Sequence, residues 1–137
     1  MLIIPEVNVN ENHNPRFVVH EHHATHLHWD LRLEIDGVLK SWALPKEPIL
    51  PKNIKRLAIL VEDHSLKYLD FQGEIPEGHY GAGDVKIWDT GEFKIADKTT
   101  KKIVFDAEGK RLNGRFCLLK VDYGINPEKN WLFFRMI

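Results

Sequence analysis

Leu27-His28-Trp29-Asp30-Leu31-Arg32-Leu33-Glu34-Ile35 alternates apolar and polar residues from end to end. Leu27, Trp29, Leu31, Leu33 and Ile35 fall on one face, and His28, Asp30, Arg32 and Glu34 on the other. A period of two marks a strand that is buried on one side only. Asp36-Gly37 follows, a pair that accepts the positive φ angles of a tight hairpin. Val38–Leu44 then reads as the returning strand, stopped by Pro45.

Outward from this hairpin, Gly and Pro interrupt the chain about every ten residues, with short apolar segments between them. Further strands are expected at residues 56–62, 84–89, 92–95, 102–106, 115–121 and 131–137, with Thr90-Gly91 and Glu108-Gly109 as turns. No stretch of twelve residues carries a helical period, and at most one helical turn fits residues 65–70. The pattern predicts a mainly β fold: a small antiparallel β-barrel of about eight short strands with little helix. A chain of 137 residues suits one such domain, over residues 17–137. Residues 1–16, polar and Asn-rich, read as a loose N-terminal arm. Trp42, Trp88 and Trp131 fall in strands and are expected in the core, with Trp29 on the apolar face of its own strand.

A hydrophobic fraction of 43% and a charged fraction of 28% are ordinary for a globular domain and exclude disorder and collagen-like repeats. The single cysteine, Cys117, has no partner within the chain, which excludes a disulfide scaffold. No apolar run approaches the ~18 residues of a membrane span. Met1-Leu2-Ile3-Ile4 is cut off by Pro5 with no basic residue ahead of it, unlike a signal peptide. A cytoplasmic protein with no membrane partner is expected. Nineteen basic against twenty acidic side chains argue against coating duplex DNA by charge alone. The charge is uneven, however: residues 40–56 carry five basic side chains and one acid, and residues 62–92 eight acids and two lysines. Eight histidines are present, five of them within residues 20–28.

On the polar face of Leu27–Ile35, His28, Asp30 and Arg32 project the same way, ~6–7 Å apart per step. An imidazole and a carboxylate so placed can share one metal ion, with a third ligand drawn from the preceding loop, which offers His20, His22, His23 and His26. Arginine beside a metal supplies a planar fork of donors for a phosphate, a pairing suited to phosphate ester cleavage. Two imidazoles and a carboxylate also serve iron oxygenases and zinc hydrolases, so the donors alone do not choose the reaction. His23-Ala24-Thr25 is an H-x-T triplet of the kind that metal-free two-histidine phosphoesterases use twice, but no second triplet exists. Residues 74–83 hold three glycines without the pattern of a Walker or dinucleotide loop, and read as a tightly shaped loop. Glu62-Asp63-His64 and Tyr68 follow an apolar strand where the chain reaches a rim, a frequent place for functional side chains.

These segments together resemble the phosphoesterase domain of bacterial ligase D and its free-standing archaeal relatives. The resemblance is carried by His22-x-Ala24-x-x-Leu27-His28-Trp29-Asp30-x-Arg32-Leu33-Glu34 and Asp36-Gly37-Val38-Leu39-Lys40-Ser41-Trp42-Ala43-x-Pro45-Lys46. It continues through Glu62-Asp63-His64, Tyr68, Ile75-Pro76-Glu77-Gly78-x-Tyr80-Gly81 and Trp88-Asp89-x-Gly91. The resemblance implies a manganese-dependent enzyme that heals nucleic acid 3′ ends. Such an enzyme removes a terminal ribonucleoside to leave a 3′-phosphate, then removes the phosphate to expose a 3′-hydroxyl. It implies metal ligation by His22, His28 and Asp30, phosphate binding by Arg32, Lys46, Arg56 and His64, and catalysis by Arg32, His64, Tyr68 and Glu62. Separately encoded polymerase and ligase partners are expected, with the chain itself a monomer. Longer members carry an Arg-Asp pair and a glutamate ahead of the barrel. Here the first fifteen residues offer only Glu6 and Glu11 and no Arg-Asp pair, so ribonucleoside removal, phosphate removal or both are expected to be weaker than in those members. The rival reading is a non-catalytic module that grips a 3′-phosphate and recruits a ligase.

Overall fold

In the computed structural model, which describes residues 14–136, the alternating stretch is one strand, β2 (Leu27–Ile35). Leu31 and Leu33 are fully buried inside the barrel and Trp29 nearly so. Asp36 and Gly37 both take positive φ, 54° and 81°, and β3 (Val38–Leu44) returns with Val38 opposite Ile35. The expected two-residue hairpin is therefore present.

The remaining strands are β1 (Arg16–His23), β4 (Lys55–His64), β5 (Gly73–Ile75), β6 (Gly83–Lys98), β7 (Lys102–Glu108), β8 (Asn113–Lys120) and β9 (Asn130–Arg135). They run antiparallel in the order β1-β2-β3-β4-β9-β8-β7-β6, and β6 pairs back with β1 to close an eight-stranded barrel. The short β5 adds along the start of β6. A single 3₁₀ turn, Leu66–Asp70, is capped by the Ser65 hydroxyl. Among the described residues no helix is long and apolar enough to cross a membrane.

Two expectations need correction. The histidine-rich stretch before β2 is the strand β1 rather than a loop. Phe17 and Val19 point into the barrel while Val18 is buried from outside by Leu39 and Leu69, so both faces are apolar and the period of two is lost. Thr90-Gly91 is not a turn, because residues 84–89 and 92–95 belong to the single long strand β6. That strand pairs first with β1 and then with β7. Glycine is required at 91 because a Cβ there would run into the Glu108 carbonyl. Of the expected arm, residues 1–13 lie outside the described residues. Asn14 bonds Glu92, and Arg16 already belongs to β1.

All four tryptophans are buried, and Phe105, Phe116 and Phe133 fill the barrel with stacked and tilted ring pairs. Buried Asp89 accepts N–H bonds from Lys110 (3.1 Å), Arg111 (3.0 Å) and Leu112 (2.8 Å), fastening the β7–β8 loop. Three N–H groups losing a charged acceptor should lower stability by about 3 kcal/mol in Asp89→Ala, read from urea unfolding. A loss under ~1 kcal/mol would mean that water replaces the carboxylate.

Candidate functional site

The register of β1 against β2 sets His22 opposite His28 and His20 opposite Asp30, all on the outer face of the barrel. Asp30 Oδ2 lies 3.6 Å from His22 Nδ1 and 3.3 Å from His28 Nε2. One donor atom from each of His22, His28 and Asp30 lies within 4.8 Å of the others, close enough for a single ion to reach all three. Among the described residues no other group of three such donors forms.

The far ring nitrogens are also committed. His22 Nε2 donates to the Gly81 carbonyl (2.9 Å), and His28 Nδ1 donates to the His26 carbonyl (3.0 Å). A carbonyl only accepts, so each neutral ring keeps its lone pair on the nitrogen that faces Asp30. Backbone carbonyls behind the imidazoles are the usual way of fixing tautomer and ring angle in a metal site. Burial opposes ionisation of Asp30, but His22, His28 and Arg32 outweigh it and hold the carboxyl well below the usual carboxylate range. Only a protonated His28 could also donate to Asp30, and that added hydrogen bond raises the His28 pKa against burial. Two imidazoles and an anionic carboxylate, pre-oriented, fit a divalent transition metal.

Arg32 is buried beside this group, and its guanidinium is held on several sides. Nε donates to His20 Nδ1 (3.1 Å), one Nη donates to Ser41 Oγ (3.0 Å) and also meets His64 Nδ1 (3.1 Å), and the other Nη donates to Asp30 Oδ2 (3.3 Å). Ser41 stands directly across β3 from Arg32 and is fully buried. The Tyr68 ring covers the guanidinium at 5.0 Å. Burial, followed by the nearby Arg32 charge, pushes the pKa of His20 down to about 4.

His64 reaches this face through a bulge. Leu39 pairs with His64 and Ser41 with Val61, so β4 has one extra residue in this interval. Without it Val61 and His64 would point to opposite faces; with it both line one cleft. Burial and Arg32 lower the His64 pKa, and burial raises that of Tyr68. The Tyr68 ring, carried by the 3₁₀ turn, sits 5.0 Å from His64 and stacks on Phe71. The cleft encloses about 450 Å³, with His22, His28, Asp30, Arg32, His64 and Tyr68 in its wall. Thr25, His26 and the largely exposed Tyr80 also line it.

A family model described as the DNA ligase D 3′-phosphoesterase domain matches residues 20–120, a span that contains the whole cleft. The chain belongs to this family. It is 48% identical over 112 residues to the multifunctional non-homologous end joining protein LigD of Pseudomonas aeruginosa, covering 78% of this chain and 13% of that protein. It is 40% identical over 146 aligned positions to the LigD of Mycolicibacterium smegmatis, covering 97% of this chain and 18% of that protein. With the LigD of Mycobacterium tuberculosis the identity is 46% over 112 residues, covering 77% and 14%. The chain thus spans under a fifth of the length of these curated relatives.

Of the residues that the ligase D phosphoesterase resemblance singles out, the barrel brings His22, His28, Asp30, Arg32, His64 and Tyr68 into one cleft. Lys46, Arg56 and Glu62 do not line it. Lys46 is exposed just beyond β3. Arg56 shares a face of β4 with Ala58, which is buried in the barrel core, and one of its Nη atoms meets the Ile49 carbonyl at 3.4 Å. The Glu62 side chain is exposed, and only its carbonyl contacts His64 (3.1 Å). Of the other neighbouring histidines, His23 meets Glu21 (2.6 Å), His26 sits on the cleft wall and His20 lies beneath Arg32. Sequence reasoning missed Ser41, although the alternation of β3 against β2 would have set it opposite Arg32.

Proposed function

We propose that this ligase D-type domain is a manganese-dependent 3′-phosphoesterase that heals DNA and RNA 3′ ends. It removes a terminal 3′-ribonucleoside to leave a 3′-phosphate, and then removes that phosphate to leave a 3′-hydroxyl. The observation that supports this most is the pre-oriented set of His22, His28 and Asp30 beside Arg32 in an open cleft. A divalent cation there would polarise a phosphoryl oxygen and lower the pKa of a water molecule. Arg32, fixed by His20 and Ser41, supplies positive charge where the transition state gathers negative charge. His64 and Tyr68 stand beside it to hydrogen-bond the phosphate, and Lys46, exposed just beyond β3, adds positive charge for the phosphate backbone outside the cleft. Residues 17–137 act as a single catalytic barrel, monomeric and cytoplasmic, whose 3′-hydroxyl product feeds a polymerase and a ligase.

A labelled primer-template ending in one ribonucleotide tests the reading. With manganese it should shorten by one nucleoside to a 3′-phosphate species and then to a 3′-hydroxyl species, and with chelator it should stay intact. Tight binding of the 3′-phosphate end without manganese-dependent turnover would instead establish the non-catalytic module.

A further inference from the structure

We infer that His20 is a positioning residue that fixes the plane of Arg32, and not a ligand in reserve for the metal; this rests on the phosphoesterase reading of the cleft. His20 is fully buried and takes no part in the cleft wall, although it lies two residues from His22 on the same face of β1. Its two ring nitrogens have partners of opposite polarity. Nε2 lies 3.0 Å from the Phe71 carbonyl and must donate, while Nδ1 lies 3.1 Å from Arg32 Nε and must accept. Only the neutral Nε2–H tautomer satisfies both. Turning this buried ring would leave both nitrogens and their two partners without hydrogen bonds, which holds it in place.

The bond to Nε differs in kind from those that Arg32 makes to Asp30 and His64. Its Nη atoms meet Asp30 and His64, groups that face the cleft and have other work there. His20 and Ser41 are fully buried and do not line the cleft, so neither is drawn off when a substrate enters. Nε is the atom at which the guanidinium joins its stem, and a partner there sets the orientation of the whole fork. Tyr68 packs edge-on against His20 at 5.3 Å while covering Arg32 at 5.0 Å, which closes the cage. Misplacing a charge-stabilising group by about 1 Å can cost on the order of 10²-fold in rate.

The test uses the full chain and the variants His20→Leu and His20→Gln. Leucine removes both bonding atoms, whereas glutamine keeps an acceptor and a donor. In ¹⁵N NMR the Arg32 Nε–H of the parent should be a resolved, slowly exchanging signal that His20→Leu loses and His20→Gln keeps. Turnover should fall by about 10–100-fold in His20→Leu and recover mostly in His20→Gln, with manganese affinity, read by EPR, unchanged within about twofold. In an Arg32→Ala background His20→Leu should cost nothing further. An unaltered Arg32 signal in His20→Leu, an additive loss in the Arg32→Ala background, or a collapse of manganese affinity would each overturn the proposal. If His20→Leu does not fold, the Arg32 signal of His20→Gln decides: its loss refutes the proposal and its retention supports it. If the parent heals no 3′ end, the phosphoesterase reading fails, yet the Nε–H signal still decides the role of His20.

Discussion

Alanine at Asp30 should abolish 3′-end healing, with a fall of about 10³-fold or more, because it removes the carboxylate of the His22, His28 and Asp30 set. Manganese affinity should drop by about 100-fold, since two neutral imidazoles bind a hard divalent ion poorly without an anionic oxygen. The barrel should survive. Leu31 and Leu33, on the opposite face of β2, hold the core and are untouched. Stability is still expected to fall by about 3 kcal/mol, because Asp30 is the buried counter-charge of Arg32. Asp30→Asn, which keeps the shape and loses the charge, should be as inactive but better folded. Circular dichroism, urea unfolding and an EPR titration separate these effects. Turnover at the parent rate by folded Asp30→Ala protein would show that the metal assignment is wrong.

The part of this site that lies on one strand was legible in the sequence, because parity alone puts His28, Asp30 and Arg32 on the polar face of β2. The rest depends on tertiary structure. Spacing leaves His20, His22, His23 and His26 equivalent as third ligands, and only the register of β1 on β2 puts His22 across from His28. β1 itself was hidden because its two faces are both covered, so nothing in Phe17-Val18-Val19 alternates. His20 reads as one more histidine in a cluster, since its partners lie 12 and 51 residues away. The β4 bulge is equally silent, and without it simple alternation assigns His64 to the wrong face. Arg56 shows that charge alone does not bring a side chain into the cleft. Its charge invites a phosphate, but it shares a face of β4 with barrel-facing Ala58. Thr90-Gly91 has the composition of a turn because the approach of Glu108 demands glycine in mid-strand.

His64→Ala should slow release of a natural 3′-phosphate by about 10²–10⁴-fold, the range that a positioned proton donor supplies. The structure frames how this residue would act. His64 Nδ1 lies 3.1 Å from both Arg32 Nη1, which only donates, and the Glu62 carbonyl, which only accepts. A neutral ring that accepts from Arg32 carries its proton on Nε2 and serves as a hydrogen-bond donor to a phosphoryl oxygen. A cationic ring donates through Nδ1 to Glu62 and holds a transferable proton on Nε2. Burial and Arg32 lower the His64 pKa, so the cation is scarcer at neutral pH but a stronger acid when formed. A pH profile alone would not separate the two states, because protonation of His28, whose pKa is raised beside Asp30, also removes a metal ligand as pH falls. The leaving group separates them. Both natural steps expel a sugar alkoxide, which needs a proton, whereas an aryl phosphate expels a phenolate that does not. If His64 is the general acid, His64→Ala should lose 3′-phosphate release yet hold aryl ester hydrolysis within about fivefold of the parent. Equal losses on the two substrates would leave only stabilisation of transition-state charge, through the neutral ring and its bond to Arg32. Parent-like rates on both would remove His64 from the chemistry, despite its place in the cleft.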